Sequence, residues 1–344
     1  MPNMILWCFC KRRLFLPGMW LNKNIKIFIN YFLGPALFIW LVYSLCQQIR
    51  HQPHLEASYH HIRQNLFSGS IYLVSIFVLM GVNWGLEAAK WKLSVSAVHP
   101  ISFWQSFKAV LSGVSFSVTM PNRVGDYLGR ILYLPDGKRL KVISLTVIGS
   151  ISQLLITLLA GIAGFIVLKE SLIASGKLHA IAYQFGLFGL VTAALFLTLF
   201  YFNLAAFEKA LERWFPNSSY LYLVEAMQTF GMQRLGALLL LSGVRYAVFI
   251  SQYILAFRLF GVDVSLLTAV WVMSLVFLAL SVIPSIVLLE VGIRGQVSLQ
   301  LVGLFTANSL GILLTSVTIW AINLMIPALA GAILILSVKV FKRQ

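Results

Sequence analysis

The 344 residues are 60% hydrophobic and only 10% charged, whereas a soluble domain charges about a quarter of its residues. That ratio excludes an ordinary soluble fold and calls for an all-α polytopic membrane protein. The 26 Lys and Arg against 10 Asp and Glu give a net charge of +16, which in a membrane protein signifies basic cytoplasmic loops facing anionic lipid rather than a nucleic-acid surface.

The opening "MPNMILWCFCKRRLFLPGMW" sets its apolar run before its basic cluster, the reverse of a signal peptide. Residues 1–24 read as an amphipathic basic leader, or as an extension upstream of a start near Met19. Cys8, Cys10 and Cys46 form no paired framework, so neither a disulfide nor a zinc site is expected. A span needs about 20 apolar residues, and 26–46, 70–89, 143–168, 181–203, 236–258 and 310–337 qualify. With two interrupted segments, 103–130 and 264–307, this makes about eight membrane helices in one membrane domain, 25–340. The tail 341–344 follows it. His51, His54, His60 and His61 sit in the first external loop and read as solvated polar residues rather than metal ligands. Residues 205–235 read as an interfacial helix with Phe207, Leu211 and Trp214 on one side.

Orientation follows from Lys and Arg near the ends of spans. Lys11, Arg12, Arg13, Lys23 and Lys26 set the N-terminus in the cytoplasm, and Lys339, Lys342 and Arg343 set the C-terminus there. Lys90, Lys92 and Lys108 bring the chain back inside after the second span, as do Lys138, Arg139 and Lys141 before the third. Both flanks of 103–130 are therefore inside, and its apolar core 109–120 is too short to cross. A re-entrant hairpin turning at Pro121-Asn122, with Gly125 beside the break, is expected. The segment 264–307 then dips from the opposite face and breaks near Pro284, or else forms a full span followed by a short helix.

The two interrupted segments share a pattern. "PNRVGDYLGR" begins at Pro121 and "PSIVLLEVGIRG" at Pro284; in each, a carboxylate follows the proline and an arginine follows four residues later. The pairs are Asp126–Arg130 and Glu290–Arg294, 164 residues apart (126 to 290, 130 to 294). Residues at i and i+4 share a helix face. Two broken helices at matching places in two pseudo-repeats, about 25–170 and 181–337, are the pattern of an inverted-repeat transporter. Arg123 and the mid-span Arg245 leave arginine in surplus. Arginine suits bidentate contact with phosphate, so an anionic phospholipid or polyprenyl-phosphate headgroup is the expected ligand. Ser115, Ser117 and Thr119 would add hydroxyls if the backbone there is extended. Glu87 either lines the cavity or pairs with Lys90 near the interface. Gly81-x3-Gly85 suits close helix packing.

The segment "MPNRVGDYLGR", the basic loop after it and the span "VISLTVIGSISQLLITLLAGIAGFIVL" resemble the lysylphosphatidylglycerol synthase transmembrane region family over roughly residues 25–340. That family's Pro-x-Arg-x-Gly-acid-x3-Arg block falls on Pro121, Arg123, Gly125, Asp126 and Arg130. Its second block carries glycines where this chain has Ile, Val and Leu before Glu290. The resemblance implies a flippase-type domain in a bacterial cytoplasmic membrane, with membrane lipids as partners and no resident cofactor. With the chain ending at Gln344, lipid aminoacylation by this chain alone is not expected. The chain shows no Asp-x-Asp motif, no intramembrane histidine and no nucleophile–base pair. An intramembrane enzyme using Asp126 or Glu290 as base is thus the alternative to a transporter, with a membrane partner for a separate synthase as a third reading. A homo-oligomer fits any of these.

Overall fold

The computed structural model describes residues 70–119, 124–135, 138–176, 178–204, 230–283 and 287–341, with Tyr43. The first expected span, the leader, the histidine loop, most of 205–235, Pro121, Arg123 and Pro284 lie outside them. Every regular element among the described residues is a helix: α1 (Ser70–Val95), α2 (Phe103–Thr119), α3 (Val124–Ile131), α4 (Arg139–Val167), α5 (Lys169–Ala174), α6 (Ala180–Phe202), α7 (Met232–Leu259), α8 (Leu266–Val282), α9 (Val287–Val302), α10 (Ser309–Trp320) and α11 (Ile326–Phe341). The long apolar stretches α1, α4, α6, α7 and the α10–α11 pair each suffice to cross a bilayer by length and composition. All five match expected spans. The protein is an all-α polytopic membrane protein.

Why α1 folds as it does is plain from its two faces. Ile71, Val74, Val78 and Val82 are exposed, while Asn83, Glu87, Lys90 and Ser94 are buried. Lipid solvates the apolar side, and polar side chains must find partners inside the bundle. α1 and α7 pack antiparallel, with Lys90 beside Ser242, Glu87 beside Arg245, and the Gln252 amide donating to the Ile76 carbonyl. The chain reaches α2 from the C-terminal end of α1 and α8 from the C-terminal end of α7, so α2 and α8 start at opposite ends of this antiparallel pair.

The segment after each pair of shorter helices is tied to the segment before it. Lys138 Nζ, beyond α3, donates to the Val98 carbonyl just before α2 (3.2 Å). Asn308, beyond α9, donates to the Phe260 and Gly261 carbonyls just before α8 (3.1 and 2.9 Å). The same Asn308 caps α10 by accepting from the Gly311 amide. α2 and α8 have 17 residues each and start 163 residues apart (103 to 266); α3 and α9 start with the same offset (124 to 287). At about 1.5 Å per residue, 17 residues reach about 25 Å, short of a hydrocarbon core of about 30 Å.

α3 folds back along α2 because three glycines let the backbones touch. A Cβ on Gly129 would collide with the Ser112 carbonyl and the Gly113 backbone, one on Gly125 with the Phe116 carbonyl, and one on Gly113 with Asp126 and Arg130. Gly125, expected as a hinge at the break, is instead the second residue of α3 and serves this close approach. We expect Gly129→Ala to lose the hairpin: backbone cannot yield as a side chain can, so the cost exceeds the roughly 1–3 kcal/mol of ordinary overpacking. Yield of monodisperse protein and its thermal midpoint in detergent check this, with Gly85→Ala, where a Cβ meets nothing within 4 Å, as the tolerated control.

Candidate functional site

The centre of the bundle holds a carboxylate shared by three cations. Glu87 Oε1 accepts from Arg130 at 2.9 Å, while its Oε2 lies 2.8 Å from Arg245 and 3.2 Å from Lys90. Arg130 makes a fork to Asp126, Nε to Oδ1 at 3.0 Å and an Nη to Oδ2 at 2.7 Å. The one-turn spacing, with Asp126 in the first turn of α3 and Arg130 in the last, presets that fork. Arg245 Nε donates to Asn83 Oδ1 at 2.9 Å, and its guanidinium lies over the Trp84 ring, 5.8 Å from the centroid. Lys90 reaches Ser242, which pairs with Ser152 of α4. This connected cluster carries three positive charges (Lys90, Arg130, Arg245) against two negative (Glu87, Asp126) among the described residues.

Lys90 was expected at a cytoplasmic loop. It is 4% exposed and lies inside α1, so it belongs to this cluster and is no topology marker. The signal was available: Asn83, Glu87 and Lys90 stand at i, i+4 and i+7, one helix face. Of the two readings for Glu87, the pairing with Lys90 is present, but deep in the bundle and together with two arginines.

The second pair is built alike. Arg294 of α9 contacts Glu290 at 2.8 Å and the Tyr253 hydroxyl of α7 at 3.0 Å. In both units the arginine is held by the carboxylate one turn earlier and by a group on a long helix, Glu87 of α1 or Tyr253 of α7. Tyr253 is neutral, and nothing in the sequence marked it.

Beside these groups lies a cavity of about 550 Å³ whose wall includes Arg245, Glu290, Arg294, Trp84, Gln153 and Trp320. Its size suits a small ligand or headgroup. Asn83 and Asn323 also line it and are joined, Nδ2 to Oδ1 at 3.3 Å. Asn323 sits in a π-helical turn, Ala321–Met325, between α10 and α11. Pro327 explains the turn: its ring occupies the place where the α-helical bond to the Asn323 carbonyl would form.

Three expectations about the site sort differently. Arg245, Glu290 and Arg294 line the cavity. Asp126, Arg130 and Glu87 do not, standing behind Asn83 and Arg245 in the charge cluster. Ser115 and Ser117 are not on the wall either. α2 stays helical to Thr119, so the extended backbone that would align three hydroxyls is not present, and Ser117 Oγ bonds its own helix at the Val114 carbonyl.

No curated protein matches the chain at a significant level. A family model matches residues 27–336, a stretch that takes in all of the long apolar helices apart from the last residues of α11. The chain belongs to the family described as the lysylphosphatidylglycerol synthase TM region.

Proposed function

We propose that the protein is a flippase-type transporter that takes an anionic lipid headgroup into the cavity walled by Arg245 and Arg294. The observation that carries this reading is charge. Among the described residues the Glu87 cluster holds one more cation than anion in a low-dielectric interior, and an unbalanced buried charge is expensive. Arg245 is the member of that cluster on the cavity wall. A single negative headgroup charge placed there balances the cluster, and arginine's planar fork suits phosphate. Arg130 and Asp126 then act at one remove, fixing Glu87, which fixes Arg245.

In this reading α2–α3 and α8–α9 are re-entrant, enter from opposite membrane faces, and relate two inverted pseudo-repeats. The support is the antiparallel α1–α7 pair, the two closing contacts Lys138–Val98 and Asn308–Phe260, and the shared offset. Half-helices meeting near the midplane are where such transporters bind substrate. Both termini and the 138–141 stretch face the cytoplasm, so a cysteine placed at position 139 in a background without native cysteines should resist an impermeant reagent added outside. Ready labelling there removes the re-entrant arrangement of α2–α3.

The function itself is tested in reconstituted liposomes carrying a labelled anionic lipid. The transporter reading expects movement between leaflets with the lipid chemically unchanged. A new lipid product, identified by mass spectrometry, contradicts it in favour of an enzyme.

A further inference from the structure

We infer that the start of α2 is a surface anchor, away from the cavity, where Trp104 and Lys108 hold an anionic phospholipid of the adjoining leaflet. The local geometry is fixed at two places. Ser102 and Gln105 cap the helix reciprocally: the Gln105 amide donates to Ser102 Oγ at 3.2 Å, and the Ser102 amide to Gln105 Oε1 at 3.1 Å. On the inner side, the buried Ser106 hydroxyl donates to the Ala88 carbonyl of α1. The outer side carries Phe103, Trp104 and Phe107 in mutual contact, with Trp104 edge-on to both phenyl rings at 5.8 and 6.0 Å. Trp104 is 68% exposed, and Lys108, one turn later on the same face, is exposed too. Lys92, in the last turn of α1, is exposed at the same end of the bundle.

An indole with an apolar body and one N–H suits the headgroup level of a bilayer. Helical side chains lean toward the helix start, so the Lys108 stem runs back past Trp104 and brings its ammonium up to that level. Indole and ammonium are both donors and suit phosphate oxygens. A zwitterionic lipid brings its own cation to the same place, which Lys108 repels, so the anionic lipid is preferred. The start of α8 gives the contrast. Ser265 caps α8 from the position matching Ser102 (102 to 265), accepting from the Thr268 amide at 3.3 Å as Ser102 does from Gln105 (105 to 268). With the register pinned by equal caps, Trp104 corresponds to the exposed Leu267 and Lys108 to Trp271, and α8 carries no basic residue. Equal backbone with different chemistry confines the anionic-lipid anchor to α2.

The test is quenching of tryptophan fluorescence in the full chain, reconstituted in mixed phosphatidylcholine and phosphatidylglycerol vesicles. Bromines are carried on the acyl chains of one lipid or the other. Trp104 is one of nine tryptophans, so its part is the difference between the parent and Trp104→Phe. That part should be quenched by both lipids, and about fivefold more effectively by brominated phosphatidylglycerol, the effect of one lysine near an anionic surface. Lys108→Gln should shrink the preference at least twofold, while Lys108→Arg keeps it. Leu267→Trp, placed in Trp104→Phe, should be quenched without preference. If Trp104→Phe fails to fold, the loss in Lys108→Gln is read from total quenching, since that variant keeps every tryptophan. Equal quenching of Trp104 by the two lipids, a full preference in Lys108→Gln, or the same preference at Leu267→Trp overturns the anchor. Quenching of Trp104 by aqueous iodide and by neither lipid overturns its contact with the bilayer altogether. None of these outcomes depends on what the cavity binds.

Discussion

Glu87→Gln should destabilise the protein by about 3–5 kcal/mol, the usual cost of stripping one partner from a buried ion pair. The substitution keeps size and shape, so no cavity term enters. It removes the negative charge that Lys90, Arg130 and Arg245 share at 3.2, 2.9 and 2.8 Å, and the surplus of the cluster rises from one cation to two. The thermal midpoint in detergent should fall by several degrees. Adding Lys90→Met restores the original balance and should recover a substantial part of the loss. If Glu87→Gln melts like the parent, the cluster is far better solvated than its burial implies. If the double variant is less stable than the single one, Lys90 contributes packing rather than charge.

Arg245→Lys and Arg130→Lys should separate binding from stability. Arg245 meets Asn83 with Nε and Glu87 with an Nη while standing on the cavity wall. Lysine keeps the charge but cannot hold two acceptors and a phosphate with one planar fork. Losing one charge-assisted hydrogen bond to the ligand costs about 1.5–3 kcal/mol, or roughly ten- to a hundredfold in affinity. Arg130 spends its fork on Asp126 and Glu87, away from the cavity. Its lysine variant should lose stability first and lipid affinity second. Phosphatidylglycerol binding set beside thermal midpoints for both variants checks the contrast. Equal losses of affinity and stability in the two would leave no distinction between a contact residue and a positioning residue.

The spans were legible because a run of about 20 apolar residues has one economical outcome in lipid. That 103–130 and 264–307 each carry two shorter helices in place of one long one was legible from the proline and charge that interrupt them. What local spacing could show, it showed: Asp126–Arg130 and Glu290–Arg294 are both one-turn ion pairs. Long-range partners were not legible. Arg245 stood out as a mid-span charge, but its acceptors Asn83 and Glu87 are about 160 residues away in sequence (83 to 245, 87 to 245). Lys90 was misread because a lysine near the end of an apolar run looks like a loop charge, and the helical face it shares with Asn83 and Glu87 says otherwise. Tyr253, Gln153, Trp84 and Trp320 are neutral, and nothing in an apolar sequence distinguishes them from residues that merely pack. Asn323 was better marked than its omission suggests: Pro327 four residues later predicts an irregular turn there.

We propose an anionic headgroup in the cavity between Arg245 and Arg294. The most direct test uses phosphatidylglycerol with a photoreactive diazirine on its headgroup, activated in membranes containing the full chain, with adducts mapped by mass spectrometry. Adducts should form on cavity residues of α7, α9 and α10, Phe249, Ile293 and Trp320 among them, and disappear with excess unlabelled phosphatidylglycerol. Adducts confined to exposed positions such as Phe185 and Phe188 of α6, unmoved by competitor, would contradict it.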